Sequence, residues 1–534
     1  MRRELVCGLG WLVLVAGSGR AQSLPLQGLL DVELVAPDAT HISDFGTAVA
    51  LSADRAVVGD PFPNSPTGSL TGGEVYVFAR SGTDWIDEAT LIAPDGEESD
   101  RFGGSLDMAG ETILVGASSD DVGSKLEAGS ASVFVRDGST GEWYREAWLT
   151  ADDAGPFDRF GYSVAIDGDL AVVGAPFDAV ASMPYRGSAY VFARTGATWT
   201  QEAKLIAPDG AADDNFGLAV VVQGDSIVVG APGAAVSDVQ DAGKAYVFKR
   251  IGSVWHLQGK LGALIPEQGA RFGSSLALEG ETLVGGSPGA GSAEVFAHEG
   301  AGWTHQAHLS PSDPGSGESF GHAVTISGDM LVVTADTDSV GPVGGAGSAY
   351  VFTRTGSTWS EALKLVAPSA AASEYFGTSA DLVGTTVIVG LPGGSLGLAD
   401  SGTADVFTLV SEGVWTDLGM SLPAGSVAPT LTPFGTILPG SPILLLLKQA
   451  KPLSPAALLI GLSAPQLPFK GGTLVPSPDL IVAAPTLAPG NGVLQANWPA
   501  GLPSGLVLYM QWWIVDSDGP AGFTASNALS ATNP

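Results

Sequence analysis

Cysteine is nearly absent: Cys7 is the single Cys in 534 residues. It falls in a leader-like segment, so the rest of the chain has no disulfide, no thiol nucleophile and no Cys metal site. Basic residues are scarce, with 23 Lys+Arg against 56 Asp+Glu. A polyanion of this size repels nucleic acid and anionic membranes, so both are poor partners and neither is expected. Long apolar runs are missing as well. Beyond the leader the longest is Ile443–Leu447, far short of the roughly 20 residues of a membrane helix, so no membrane insertion is expected. Histidine is limited to six residues, and no H-E-x-x-H occurs. His305 and His308 are three apart in a segment that reads as strand, which predicts opposite faces.

The first 21 residues read as a secretion signal. Arg2 and Arg3 precede an apolar run from Leu5 to Val15, and Gly19-Arg20-Ala21 is a small-x-small cleavage site. Residues 22–534 then carry 20 basic and 55 acidic side chains, a net charge of −35. The expected location is outside the cell or on its surface.

What is abundant is repetition. Phe-Gly recurs at Phe45, Phe102, Phe160, Phe216, Phe272, Phe320 and Phe376, at spacings of 57, 58, 56, 56, 48 and 56. A Trp stands 17 residues before six of them, at Trp85, Trp143, Trp199, Trp255, Trp303 and Trp359, and Trp415 ends the series. Between Phe-Gly and Trp lie an apolar run closing in Gly-Ala-Pro, as in Leu170–Pro176, and a Gly-Ser-Ala-Tyr-Val-Phe run, as in Gly187–Phe192. Each unit reads as four short strands separated by Gly and Asp turns. Seven such units predict an all-β chain whose residues 22–420 form a seven-bladed β-propeller of four-stranded antiparallel blades. Sheets stacked on both faces explain why the central runs do not alternate with polar residues, and the repeated Phe, Trp and Tyr are expected as packing between blades.

The pattern resembles the FG-GAP repeat family over residues 30–420. Its best-known members are the integrin α-chain propellers, and a secreted bacterial branch is closer still. The resemblance implies ligand binding by loops on one face. Many integrin-type repeats also carry an Asp-x-Asp-x-Asp-Gly-x-x-Asp calcium loop between strands one and two. Here that place holds tight turns such as Gly110-Glu111, Gly168-Asp169 and Gly280-Glu281. Two residues cannot supply a cage of oxygens, so no cofactor and no metal is expected, and calcium is not carried over to those turns. There is no Arg-Gly-Asp.

Leu34-Val35-Ala36-Pro37-Asp38 copies Leu205-Ile206-Ala207-Pro208-Asp209. The N-terminal strand is therefore expected to join the last blade and close the ring, with the segment after Trp415 competing for that place or lying beside it. Residues 421–534 hold 17 of the 35 Pro and no net charge. Short apolar runs broken by Pro and Gly there predict a small β-sandwich-like domain.

In a propeller the 2–3 and 4–1 connections share one face. The 2–3 loops are long and dissimilar in sequence, for example Ser118–Ala128, Phe177–Arg186 and Gly233–Ala242, whereas the 1–2 turns are short and alike. Recognition is built on such loops. The fifth unit has only Pro288-Gly289-Ala290-Gly291 here, which predicts a notch in the rim. Candidate ligand-binding residues are Asp120, Asp121, Asp238, Asp241, Asp336 and Asp338, an acidic set suited to a cationic ligand. Tyr185 and Arg186 add an aromatic and a guanidinium in one loop. Further acids, including Asp100, Asp153, Asp158, Asp209 and Asp214, lie in 4–1 loops. No catalytic residues are expected: the G-x-S-x-G matches at 317–321 and 393–397 sit on no strand-to-helix elbow. The reading is a monomeric binding or adhesion propeller for an extracellular protein or glycan. The alternatives are a carbohydrate-active hydrolase with carboxylates at the channel mouth and a structural matrix component.

Overall fold

A computed structural model of the chain describes residues 26–419 with breaks at 38–42, 63–71, 82–83, 301, 314, 316–318, 369–370, 394–400 and 412–414. From 430 onward it describes short stretches, mostly strands. The leader segment and the 2–3 loops of blades 1 and 7 therefore lie outside the described residues, wholly or in large part.

Seven four-stranded antiparallel sheets form the propeller, and no helix occurs among the described residues. Their inner strands are Ala48–Leu51, Phe102–Ala109, Ser163–Asp167, Val220–Gln223, Ser275–Glu279, Val324–Ser327 and Ser379–Val383. Blade 3 continues through Leu170–Ala175, Ser188–Thr195 and the outer strand Thr198–Leu205. Every residue of Leu170–Ala175 is buried, because neighbouring blades cover both faces of the sheet. That is why these runs read as unbroken apolar segments rather than alternating ones.

The last blade has strand order Leu26–Leu34, Thr403–Ser411, Thr386–Leu391, Ser379–Val383. The N-terminal strand is thus its outer strand and closes the ring, as expected. Trp415 starts a strand, Trp415–Gly419, that pairs instead with Ala528–Thr532. The chain divides into two compact units, 28–409 and a second that takes in the described residues from 410 onward. In the second, a six-stranded sheet contains Val507–Val515 and Ala456–Gly461, and a three-stranded sheet contains Thr430–Phe434, Pro442–Lys448 and Gly492–Asn497.

Phe-Gly explains the seams. Phe160 is fully buried and meets Tyr190 at 5.4 Å and Phe192 at 5.9 Å, ring to ring. Its glycine, Gly161, has φ +87, and its carbonyl oxygen lies 2.1 Å from where a Cβ on Gly116 of blade 2 would stand. Gly217 and Gly174 repeat this contact at 2.0 Å. Side chains cannot be accommodated where two backbones approach so closely.

The outer strands carry a further device. In blades 1 to 6 the pairing of third and outer strands slips by one residue. This bulge falls three residues after the Trp, at Glu88, Glu146, Glu202, Gln258, Gln306 and Ala362, and re-aims that side chain. Glu146 accepts from Trp199 Nε1 of the next blade at 3.0 Å and pairs with Arg194 at 2.6 Å. Gln306 accepts from Trp359 Nε1 at 2.8 Å. The same bulge overturns the expectation for His305 and His308. Because Gln306 is left out of register, Phe296 faces His305 and Glu294 faces His308, and both imidazoles meet buried Glu294, at 2.6 and 2.8 Å.

Candidate functional site

The 2–3 and 4–1 connections form one continuous surface. In blade 3, Pro184, Tyr185 and Arg186 carbonyls accept from Asp213, Asn215 and Phe216 amides of the following 4–1 segment, at 3.1, 2.9 and 3.1 Å. Leu126, Glu127 and Ala128 do the same for Phe157, Arg159 and Phe160. The 2–3 loops of blades 2 and 3 are thereby fixed to the next blade.

These loops differ in sequence but less in shape than expected. Blades 2, 3, 4 and 6 all close a two-residue turn, with reciprocal backbone bonds at Val122/Lys125, Val236/Val239 and Val340/Val343 and a single bond from the Met183 amide to the Val180 carbonyl in blade 3. The turn residues Ala181, Ser182, Ser237 and Asp238 take positive φ. The loop face is one repeated backbone presenting different side chains. Blade 5 keeps only the four residues between Thr282–Ser287 and Ser292–Glu299.

Most of the acidic residues hold the scaffold. Asp178 is buried and accepts from Ser188 Oγ at 2.7 Å, with Lys204 Nζ at 2.7 Å. Lys204 also pairs with Asp153 at 2.6 Å, and Tyr190 OH donates to Asp153 at 2.9 Å. Burial alone would lower the Lys204 ammonium, but its bonds to Asp153, Asp178 and Tyr190 outweigh this and hold it above its usual value. Blade 6 repeats the arrangement with Asp338, Ser348, Tyr350, Lys364 and Asp313. Asp100, Asp158 and Asp214 each accept the amide three residues back, from Glu97, Gly155 and Ala211, and so brace the 4–1 loop. Burial, reinforced by Asp120, Glu97 and Asp121, pushes Asp100 up to about 6.

The candidate binding residues sort accordingly. Asp338 is 1% exposed and belongs to the blade 6 network. Arg186 is buried and donates to the Ala207 carbonyl at 2.8 Å, folded back on its own blade. Asp120 is half-buried, and burial raises its carboxyl. Asp336 is half-buried against His322 at 3.4 Å, with Oδ1 free of hydrogen bonds. Asp121, Asp238, Asp241 and Tyr185 are exposed. Asp121 accepts the Glu127 amide at 2.7 Å. Among the described residues no group of three His, Cys, Asp or Glu closes on one point in a way that could hold a metal ion.

What the acidic reading missed is apolar. Tyr162, Phe177 and Tyr185 form an edge-to-face row, with successive centroids 5.6 Å apart. Tyr162 and Tyr185 remain 38% and 49% exposed. Leu126, Phe157 and Met183 are exposed beside them. Two open cavities lie among the same 2–3 and 4–1 segments, though none of the three rings lines either. One, about 550 Å³, is lined by Asp153, Asp158, Val180, Lys204 and Ile206. The other, about 420 Å³, is lined by Phe62, Asp121, Leu126, Phe157 and Arg159. The signal was present as Phe177, Met183 and Tyr185 in one loop, but Tyr162 and Phe157 come from the preceding 4–1 segment, and only the fold brings them together.

All seven inner strands line a central channel of about 610 Å³. Its carboxylates Asp107 and Asp381 accept backbone amides of the next blade, from Ile166 at 2.7 Å and Leu51 at 2.8 Å. They tie blades together.

The FG-GAP repeat model matches residues 30–78, 85–134, 143–192, 199–248, 303–352 and 359–407. That is more than half of the chain, and the chain belongs to this family. The stretch between the fourth and fifth matches, left unmatched, holds the outer strand of blade 4 and the first three strands of blade 5 with their shortened loop. No curated protein matches the chain. Among solved structures it is similar to Saccharomyces cerevisiae Sqt1, at 9% identity and TM-score 0.39, covering 80% of this chain and 95% of that one. It is also similar to a putative 6-phosphogluconolactonase from Bacteroides fragilis NCTC 9343, at 11% identity and TM-score 0.43, covering 64% and 88%. Likenesses of this size carry nothing about what this chain does.

Proposed function

We propose that the chain is a secreted, non-enzymatic propeller that binds an extracellular protein or glycan through the loop face of blades 2 and 3. The observation that carries this reading is the row Tyr162, Phe177, Tyr185 with its exposed apolar neighbours, held on loops that are hydrogen-bonded to the following blade. Rigid aromatics contribute contact area at low entropic cost. The flanking carboxylates, together with Lys204 and Arg159, supply directional polar contacts. The basic and apolar leader with its small-x-small site supports export. The test is binding of residues 22–534 to glycan and surface-protein arrays, with calcium and with chelator. Tyr162→Ala/Tyr185→Ala lowers affinity for any hit at least tenfold while leaving the melting temperature within 2–3 °C, about 1 kcal/mol. Undiminished binding by that variant removes this face from the reading.

A further inference from the structure

In blades 3, 4 and 6 one inner position of the third strand holds a tyrosine, and an outer-strand lysine lies over its ring, as Lys204 does over Tyr190 at 5.0 Å. In blade 5 that position is Glu294, 2% exposed, and His305 and His308 meet its two oxygens. In blade 7 it is Asp405, fully buried. The outer strand there is the N-terminal one. Its Leu34-Val35-Ala36-Pro37 aligns with Leu205-Ile206-Ala207-Pro208, which puts Glu33 where blade 3 has Lys204. An acid thus replaces the tyrosine, and a second acid replaces the cation.

Nothing within the described residues compensates. Both carboxylate oxygens of Asp405 lack a hydrogen-bond partner. So does Thr403 Oγ1, 1% exposed and two residues earlier on the same face of the strand. Glu374 is 2% exposed and spends one oxygen on the Ala371 amide at 2.7 Å. Burial, then Glu33 and Glu374, push the Asp405 carboxyl up to about 7. A buried carboxylate without a partner is among the most unfavourable arrangements a fold can hold, and an orphan hydroxyl beside it compounds the cost.

We propose that blade 7 binds a hard divalent cation, calcium by charge and ligand type, where blade 3 holds the Lys204 ammonium. Asp405 and Thr403 Oγ1 from the third strand and Glu33 from the N-terminal strand are its protein ligands, water completes the shell, and Glu374 adds charge. Oxygen donors with no nitrogen or sulfur select calcium or magnesium over transition metals. The shell needs two carboxylates and a hydroxyl rather than three acids at one point. Because its ligands come from the two strands that close the ring, the ion fastens the clasp. This place is unrelated to the 1–2 turns.

The test is calorimetric titration of calcium, and separately magnesium, into the chelator-stripped full chain, with thermal unfolding in parallel. The expected result is one calcium per chain and a melting temperature that rises with calcium. Asp405→Tyr/Glu33→Lys restores the blade 3 pair, so it abolishes binding and makes unfolding independent of calcium. Asp405→Asn, nearly isosteric, weakens binding at least tenfold if the double variant does not fold. Asp121→Asn/Asp238→Asn/Asp241→Asn, on the loop face, leaves binding unchanged. No binding of either metal at millimolar concentration overturns the proposal. So does unaltered binding by the Asp405 variants.

Discussion

Gly187→Ala tests the seam between blades 3 and 4. Gly187 has φ +79, and a Cβ there would stand 2.1 Å from the Phe216 carbonyl oxygen and 2.6 Å from its amide nitrogen. The left-handed backbone alone costs a residue with a side chain about 1 kcal/mol. The overlap is with backbone, not with a flexible side chain, so relief requires the 2–3 loop to move away from the next blade. That motion strains the Phe216 amide bond to the Arg186 carbonyl and its neighbour from Asn215 to Tyr185, each about 1 kcal/mol, and overpacking adds about 1–3 kcal/mol. The expected loss is about 4–6 kcal/mol. Gly291 is the control. It is the corresponding glycine of blade 5, has φ +64, and has nothing within 4 Å of its Cβ position, because the short loop never reaches the next blade. Gly291→Ala should cost about 1 kcal/mol. Equilibrium urea unfolding followed by Trp fluorescence compares the two. Equal losses, or a Gly187→Ala loss below about 1 kcal/mol, would refute the argument that this glycine exists for the seam.

Other perturbations follow from the same structure. Lys204→Met leaves buried Asp178 and half-exposed Asp153 without their shared cation and should destabilise by about 2 kcal/mol, less than a fully buried pair because the ammonium is partly solvated; Lys364→Met in blade 6 should match it in chemical denaturation. Asp60 is 1% exposed, accepts the Asp44 and Phe62 amides at 3.1 and 3.2 Å, and is pushed up by burial to about 7. A raised carboxyl stabilises the fold in its protonated form, so this contribution is complete below pH 4 and is lost as pH rises through 7. Asp60→Asn should therefore flatten the stability profile between pH 4 and 7, by up to about 4 kcal/mol; an unchanged slope in denaturation at stepped pH refutes the assignment. Trp199→Phe removes the donor to Glu146 and should cost about 1 kcal/mol, whereas Trp255→Phe, whose Nε1 has no partner, should cost less in the same assay.

How much of this was legible depended on whether a signal lay in the repeat period. Phe-Gly, the preceding Trp and the Gly-Ala-Pro run recur in register, and they announced the blades, their number and the N-terminal clasp. The acid or amide three residues after Trp recurs too, in five units, and could have been read as the link between outer strands. Simple alternation puts His305 and His308 on opposite faces, and a one-residue bulge reverses that parity. The acidic loops stand out as ligand candidates because charge is visible in a sequence, whereas the lysine, tyrosine and backbone amides that absorb it are not.

By itself the sequence determined the all-β propeller, its seven units and the tight 1–2 turns, since each rests on local chemistry repeated at a fixed period. Only the tertiary structure decided which carboxylates are consumed inside the scaffold, which aromatics from two segments meet on blades 2 and 3, and that Asp405 is left buried opposite an acid. Those outcomes depend on what the neighbouring strand or blade places within a few ångströms, and residues at that distance can be hundreds of positions apart in the chain.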